Sequence, residues 1–94
     1  MQDTGRFQTA NASKYLQQLC KHFAHKIEVD YDDKQGSATF SAGTVNLIAD
    51  ASELRAEVNG ADADALENLR RIIDNHLVRF AFREGFENMN WQGP

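Results

Sequence analysis

Ile27-Glu28-Val29-Asp30-Tyr31-Asp32 opens the stretch that decides the fold. Apolar and acidic side chains alternate there with a period of two, the spacing of a strand with one buried face. The alternation continues downstream. Ala38 and Phe40 are interleaved with Ser37, Thr39 and Ser41, and Val45, Leu47 and Ala49 with Asn46, Ile48 and Asp50. Leu54, Ala56 and Val58 are then interleaved with Arg55, Glu57 and Asn59. Turn-forming residues separate the runs at Asp33–Gly36, Ala42-Gly43 and Ala51-Ser52. Strands with one apolar and one polar face specify an antiparallel meander that is wet on one side.

The flanks of this meander have a different period. From Ala12 to His25, the residues Ala12, Leu16, Leu19 and Phe23 recur at helical spacing, with Thr9 or Asn11 available as N-cap. After Gly60, Leu66, Leu69, Ile73, Leu77 and Phe80 form the stripe of a longer helix. Asp62 or Asp64 can cap it, Glu67 completes a capping box with Asp64, and Gly85 is placed to end it. A short strand at Arg6–Thr9 precedes the first helix. The expected fold is therefore α+β and two-layered, in the order β-α-β-β-β-β-α. Its curved antiparallel sheet is packed on one face by the two helices.

Ninety-four residues suffice for one domain, residues 1–94, with an ordered core expected at about 6–91. Ten Lys and Arg against fourteen Asp and Glu leave a net charge of −4, without the basic face that releases counterions from nucleic acid. The wet face of the meander also lacks the aromatic platform on which sheet-based RNA binders stack bases. No run approaches the ~20 apolar residues of a membrane span, and Met1–Phe7 is too polar for a signal sequence. With a single cysteine, Cys20, no internal disulfide is available, and a cytoplasmic location is expected.

The densest reactive string is Cys20-Lys21-His22-Phe23-Ala24-His25. On a helix, His22 and His25 lie about 60° apart while Cys20 points about 160° away from His22. Two histidines provide half of a zinc site, with His76 of the second helix as the natural third ligand. Cys20 in mid-helix lacks the environment that activates a thiol. Downstream, His76, Arg79 and Arg83 follow one edge of the second helix, where guanidinium groups can hold a carboxylate or phosphate. Asp30-x-Asp32-Asp33 fails as a calcium loop, because Ser41 stands where a bidentate Glu belongs. No phosphate-cradling glycine loop or nucleophile motif is present, so no cofactor and no catalytic group are expected. Val78, Phe82 and Trp91 lie off the main stripe and offer a self-association patch or a second small cluster with Phe86.

Two strings resemble a known family. They are Tyr15-Leu16-Gln17-Gln18-Leu19-Cys20-Lys21-His22-Phe23-Ala24-His25-Lys26 and His76-Leu77-Val78-Arg79-Phe80-Ala81-Phe82-Arg83-Glu84. Both are similar to strings of the bacterial family called domain of unknown function 2218, and the likeness runs from Phe7 to Trp91. Phe23 stands where members often have Trp. The resemblance implies no established activity. It does imply an association with flavin-dependent siderophore-interacting reductases, and hence an accessory role in iron acquisition. The expectation is a small binding or accessory domain with a site for an anionic ligand or a siderophore-related protein partner. His22, His25, His76, Arg79 and Arg83 form that site, with no resident metal. Three alternatives remain: a metal-binding protein built on the histidines, an enzyme with His22 or His76 as general acid–base, and a homodimerising structural module.

Overall fold

The computed structural model describes residues 1–93. The chain runs β1 (Gln2–Gln8), α1 (Ala12–Phe23), β2 (Val29–Tyr31), β3 (Gln35–Phe40), β4 (Gly43–Ala49), β5 (Glu53–Gly60), α2 (Ala63–Phe80), a 3-10 turn at Phe82–Glu84 and β6 (Asn90–Trp91). The six strands form one antiparallel sheet in the order β2-β3-β4-β5-β1-β6. The expected α+β order is present, and a short sixth strand is added after α2.

Alternation dictates which side faces the helices. Ala38, Val45, Leu47, Leu54, Ala56 and Val58 are buried, whereas their neighbours Ser37, Thr39, Asn46 and Glu57 are exposed. The helices supply the other half of the core. Leu16, Leu19, Cys20 and Phe23 come from α1, and Leu66, Leu69, Ile73 and Leu77 from α2. Burying each large aliphatic group contributes about 1.5–3 kcal/mol, so these two stripes are what hold the layers together.

Aspartates shape the turns. The Asp32 carboxylate accepts the backbone N–H groups of Lys34 and Gln35 at 2.8 and 2.9 Å, and Asp50 accepts those of Ser52 and Glu53, each at 2.8 Å. Those donors hold both carboxyl groups below the usual range. Asp32 thus has a local task that accounts for its place in the acidic string. Asp62, rather than Asp64, caps α2 by accepting the Ala65 N–H at 2.9 Å.

The first strand departs from expectation. It begins at Gln2, not at Arg6, because the buried-face positions preceding Phe7 are Asp3 and Gly5. Neither looks like a core residue. Asp3, outside the expected 6–91 core, receives Arg70 Nε at 2.7 Å and the Gly93 N–H at 2.8 Å. Gly5 makes room for Trp91: a Cβ there would sit 2.8 Å from the indole ring. That indole donates Nε1–H to Asp74 at 2.9 Å, and Asp74 also accepts the Met89 N–H, which pins the tail to α2. Phe86 turns inward against Phe7, with ring centres 4.8 Å apart. Of the off-stripe aromatics only Phe82 is left outside, 61% exposed.

Both helices end sooner than their periodicity suggests. α1 stops at Phe23, so His25 lies in the following turn rather than on the helix. α2 stops at Phe80, and Arg83 sits on the 3-10 turn. The helical azimuth that aligned Arg83 with His76 and Arg79 therefore does not apply.

Candidate functional site

His22 lies in the last turn of α1, and His76 lies one turn before the end of α2. Packing of the two helices on the same sheet face brings their rings to 4.9 Å between centres. Phe23 closes one side, edge-on to His76 at 5.2 Å and to Phe40 at 5.1 Å, and Phe80 stands 6.3 Å from His22. The pair thus rests on an aromatic floor with its other side toward solvent.

The two imidazoles are held differently. His76 is half-buried, and its Nδ1 lies 2.6 Å from the Ile72 carbonyl oxygen. A carbonyl can only accept, so Nδ1 carries the proton and, in the neutral ring, Nε2 keeps a free lone pair. His22 is more exposed, and its pKa is lowered from 6.5. Desolvation by its surroundings is the main cause, followed by the positive charges of His76, His25, Lys26 and Arg79. The fold therefore favours neutral His22, and its contribution to stability is present above the unfolded-state pKa and lost as pH falls through the lowered folded value. A proton NMR titration of the His22 ring should give a midpoint below 6.5, moving back toward that value in Arg79→Ala. A midpoint at or above 6.5 would show that the cations do not act on it.

Charge pairing divides the arginines of the molecule. On the outer sheet face Arg6 meets Glu53 at 2.6 Å and Arg55 meets Glu57 at 3.7 Å. On α2, Arg70 and Arg71 both meet Glu67, and Arg70 also holds Asp3. Among the described residues, no carboxylate lies within ion-pairing distance of His22, His25, Lys26, His76, Arg79 or Arg83. Arg83 stands apart from the others. Its guanidinium carbon lies 5.7 Å from the Phe82 ring centre, and it is absent from the charges acting on His22.

The family described as uncharacterized protein conserved in bacteria (DUF2218) matches residues 4–92. This chain belongs to that family. The NMR structure of PA4090 from Pseudomonas aeruginosa is similar to this DUF2218 domain, with a TM-score of 0.80 and 31% identity over 97% of this chain and 94% of that one. Among curated proteins, none matches the chain.

Within this DUF2218 domain the five expected site residues divide. His22, His25, His76 and Arg79 are grouped by the charges felt at His22, and Lys26 joins them. Arg83 does not. The three-histidine metal site is not formed, since no group of three or more potential ligands comes together among the described residues. Cys20 is fully buried, its thiol is pushed up to about 11 by burial, and its Sγ abuts the backbone of Gly36. It is packing, not a nucleophile. No helix among the described residues is long and apolar enough to cross a membrane.

Sequence reasoning missed a second polar cluster. Glu84 accepts from Tyr15 Oη, from Thr9 Oγ1 at 2.7 Å and from Asn11 Nδ2 at 3.2 Å. These bonds, with that of Tyr15 first, hold the Glu84 carboxyl below its usual range. Burial and the facing carboxylate push the Tyr15 hydroxyl up to about 12. The cluster ties the 3-10 turn to the start of α1, where a carboxylate also suits the helix dipole. Both members of the pair stand in the family strings, but only the fold brings them together.

Proposed function

We propose that this domain is a small, non-enzymatic binding module that holds a carboxylate-bearing ligand or partner surface at the ends of its two helices. Lys26 and Arg79 supply permanent charge, His22 and His25 supply N–H donors beside them, and His76, whose Nδ1–H is held by Ile72, can donate from Nε2 only when protonated. The observation that carries the reading is that Lys26 and Arg79 act on His22 together with two further histidines and have no carboxylate partner among the described residues, whereas the arginines of the sheet and of early α2, Arg6, Arg55, Arg70 and Arg71, each have one. Unpaired cations gathered on one surface create a positive potential that a domain of net charge −4 otherwise lacks.

The shape of the region favours a partner surface over an enclosed small molecule. Clefts open on the sheet, one of about 670 Å³ beside Asp30, Ser37, Asn46, Arg55 and Glu57, another beside Met1, Thr4, Arg6 and Gln92. Neither is lined by the helix-end cations. The association that the family resemblance implies would make an acidic face of a siderophore-interacting reductase one such partner. The self-association alternative is narrower than expected, because Val78 and Trp91 pack against the core and Phe82 alone projects.

Citrate is a suitable probe, titrated at low ionic strength where screening is weak. Its addition should shift the amide signals of His22, His25, Lys26 and Arg79. Arg79→Ala should weaken this binding about fivefold, equivalent to an ion pair of about 1 kcal/mol, while changing stability by no more than ~0.5 kcal/mol. Unfolding of Arg79→Ala, or shifts confined to the sheet clefts, would remove the reading.

A further inference from the structure

The spacing of the histidine pair matches more than anion binding. A metal–nitrogen bond of about 2.0–2.1 Å, with the ring centre about 1.1 Å behind the nitrogen, sets the separation of two imidazoles on one ion. Ring centres on adjacent positions then lie about 4.5 Å apart for octahedral geometry and about 5.2 Å for tetrahedral. The observed 4.9 Å falls between these values. His76 also has the support typical of a ligating histidine. Its Nδ1–H is given to a backbone carbonyl, which fixes the tautomer and leaves Nε2 available. Phe23 braces the same ring from the side.

A bare dication is poorly served there. His22 and His76 provide two ligands, no third protein ligand joins them among the described residues, and Lys26 and Arg79 repel positive charge. Each objection disappears when the ion arrives with anionic ligands of its own. The carboxylates of the chelate fill the remaining positions, bring the net charge to zero or below, and face the two cations. We propose that His22 and His76 together occupy two neighbouring positions on a borderline divalent metal ion delivered as a carboxylate chelate. The inference rests on the imidazole pair and deepens the anion reading by naming what the anion carries. Imidazole suits nickel, copper and zinc, so the metal class follows from the donors.

Nickel(II) nitrilotriacetate is the probe, because the chelator takes four positions, leaves two adjacent ones open and gives the complex a net negative charge. Tag-free protein is titrated with it by calorimetry and by NMR, where the paramagnetic ion broadens nearby signals. Broadening should centre on the His22 and His76 rings. His22→Gln and His76→Gln should each weaken binding at least tenfold, and Lys34→Gln, in the turn between β2 and β3, should leave it unchanged. Broadening centred on His25, or affinity retained without His22 or His76, would overturn the proposal. His22→Gln alters an exposed side chain, so its result does not depend on folding, and thermal melting checks His76→Gln. Citrate shifts that survive in His22→Gln together with absent nickel binding in the parent protein would discard the metal site while the anion face stands.

Discussion

Gly43→Ala is expected to lower stability by about 3 kcal/mol or more, enough to leave a small domain of ordinary margin barely folded. Gly43 opens β4 with a φ of +150°, a backbone region that glycine alone enters readily. It lies opposite Phe40 on one side and Gly60 on the other. A Cβ at this position would run into the carbonyl oxygen of Asn59. That oxygen belongs to the backbone of the neighbouring strand, so no side-chain rotation relieves the contact. Either β4 separates from β5 at this end, or φ changes and the Ser41-Ala42 hairpin is rebuilt. Urea unfolding followed by circular dichroism measures the loss. A decrease below ~1 kcal/mol would mean that the strands do not approach this closely.

Asp3→Ala should cost nearly as much, about 3 kcal/mol, by a different route. The Asp3 side chain is fully buried, and it receives Arg70 Nε at 2.7 Å as well as the N–H groups of Thr4 and Gly93, each at 2.8 Å. Removing the carboxylate leaves Arg70, itself only 20% exposed, with Glu67 as its remaining partner at 3.4 Å. Two backbone donors lose their acceptor at the same time. The charge left behind is most of the cost, which gives a sharper test. Asp3→Ala combined with Arg70→Met should be less damaging than the sum of the single changes, with a coupling of about 1–3 kcal/mol. Simple additivity would show that the pair contributes no mutual stabilisation.

These two residues also mark where the sequence was and was not legible. The meander could be read because its buried positions are apolar: Val45, Leu47, Leu54, Ala56 and Val58 announce their face two at a time. β1 could not, because its buried positions before Phe7 are a carboxylate and a glycine, each serving a partner 67 or more residues away. The α2 stripe was legible for the same reason as the meander, but its end was not. Phe80-Ala81-Phe82 continues the apolar character while the backbone changes to a 3-10 turn. That short extension carried Arg83 away from the site it was expected to join. Spacing along α1 and α2 singled out His22 and His76 separately. Only the packing of the two helices on one sheet face decides that they meet, and no local pattern encodes it. The unpaired state of Arg79 depends likewise on where every carboxylate of the fold has gone.

The position of β1 between β5 and β6 has a consequence during synthesis. Its residues are made long before their partners; even the closest pair in the register, Gln8 and Glu53, is separated by 45 positions. At about 5–20 residues per second, the segment waits for seconds without a strand to join. A sticky segment would spend that interval exposed to association with other nascent chains. Gln2, Asp3, Thr4, Gly5, Arg6 and Gln8 make it poor material for such contacts, and Phe7 is its one large apolar side chain. The composition that concealed this strand in the sequence is the same composition that lets it wait safely for the rest of the sheet.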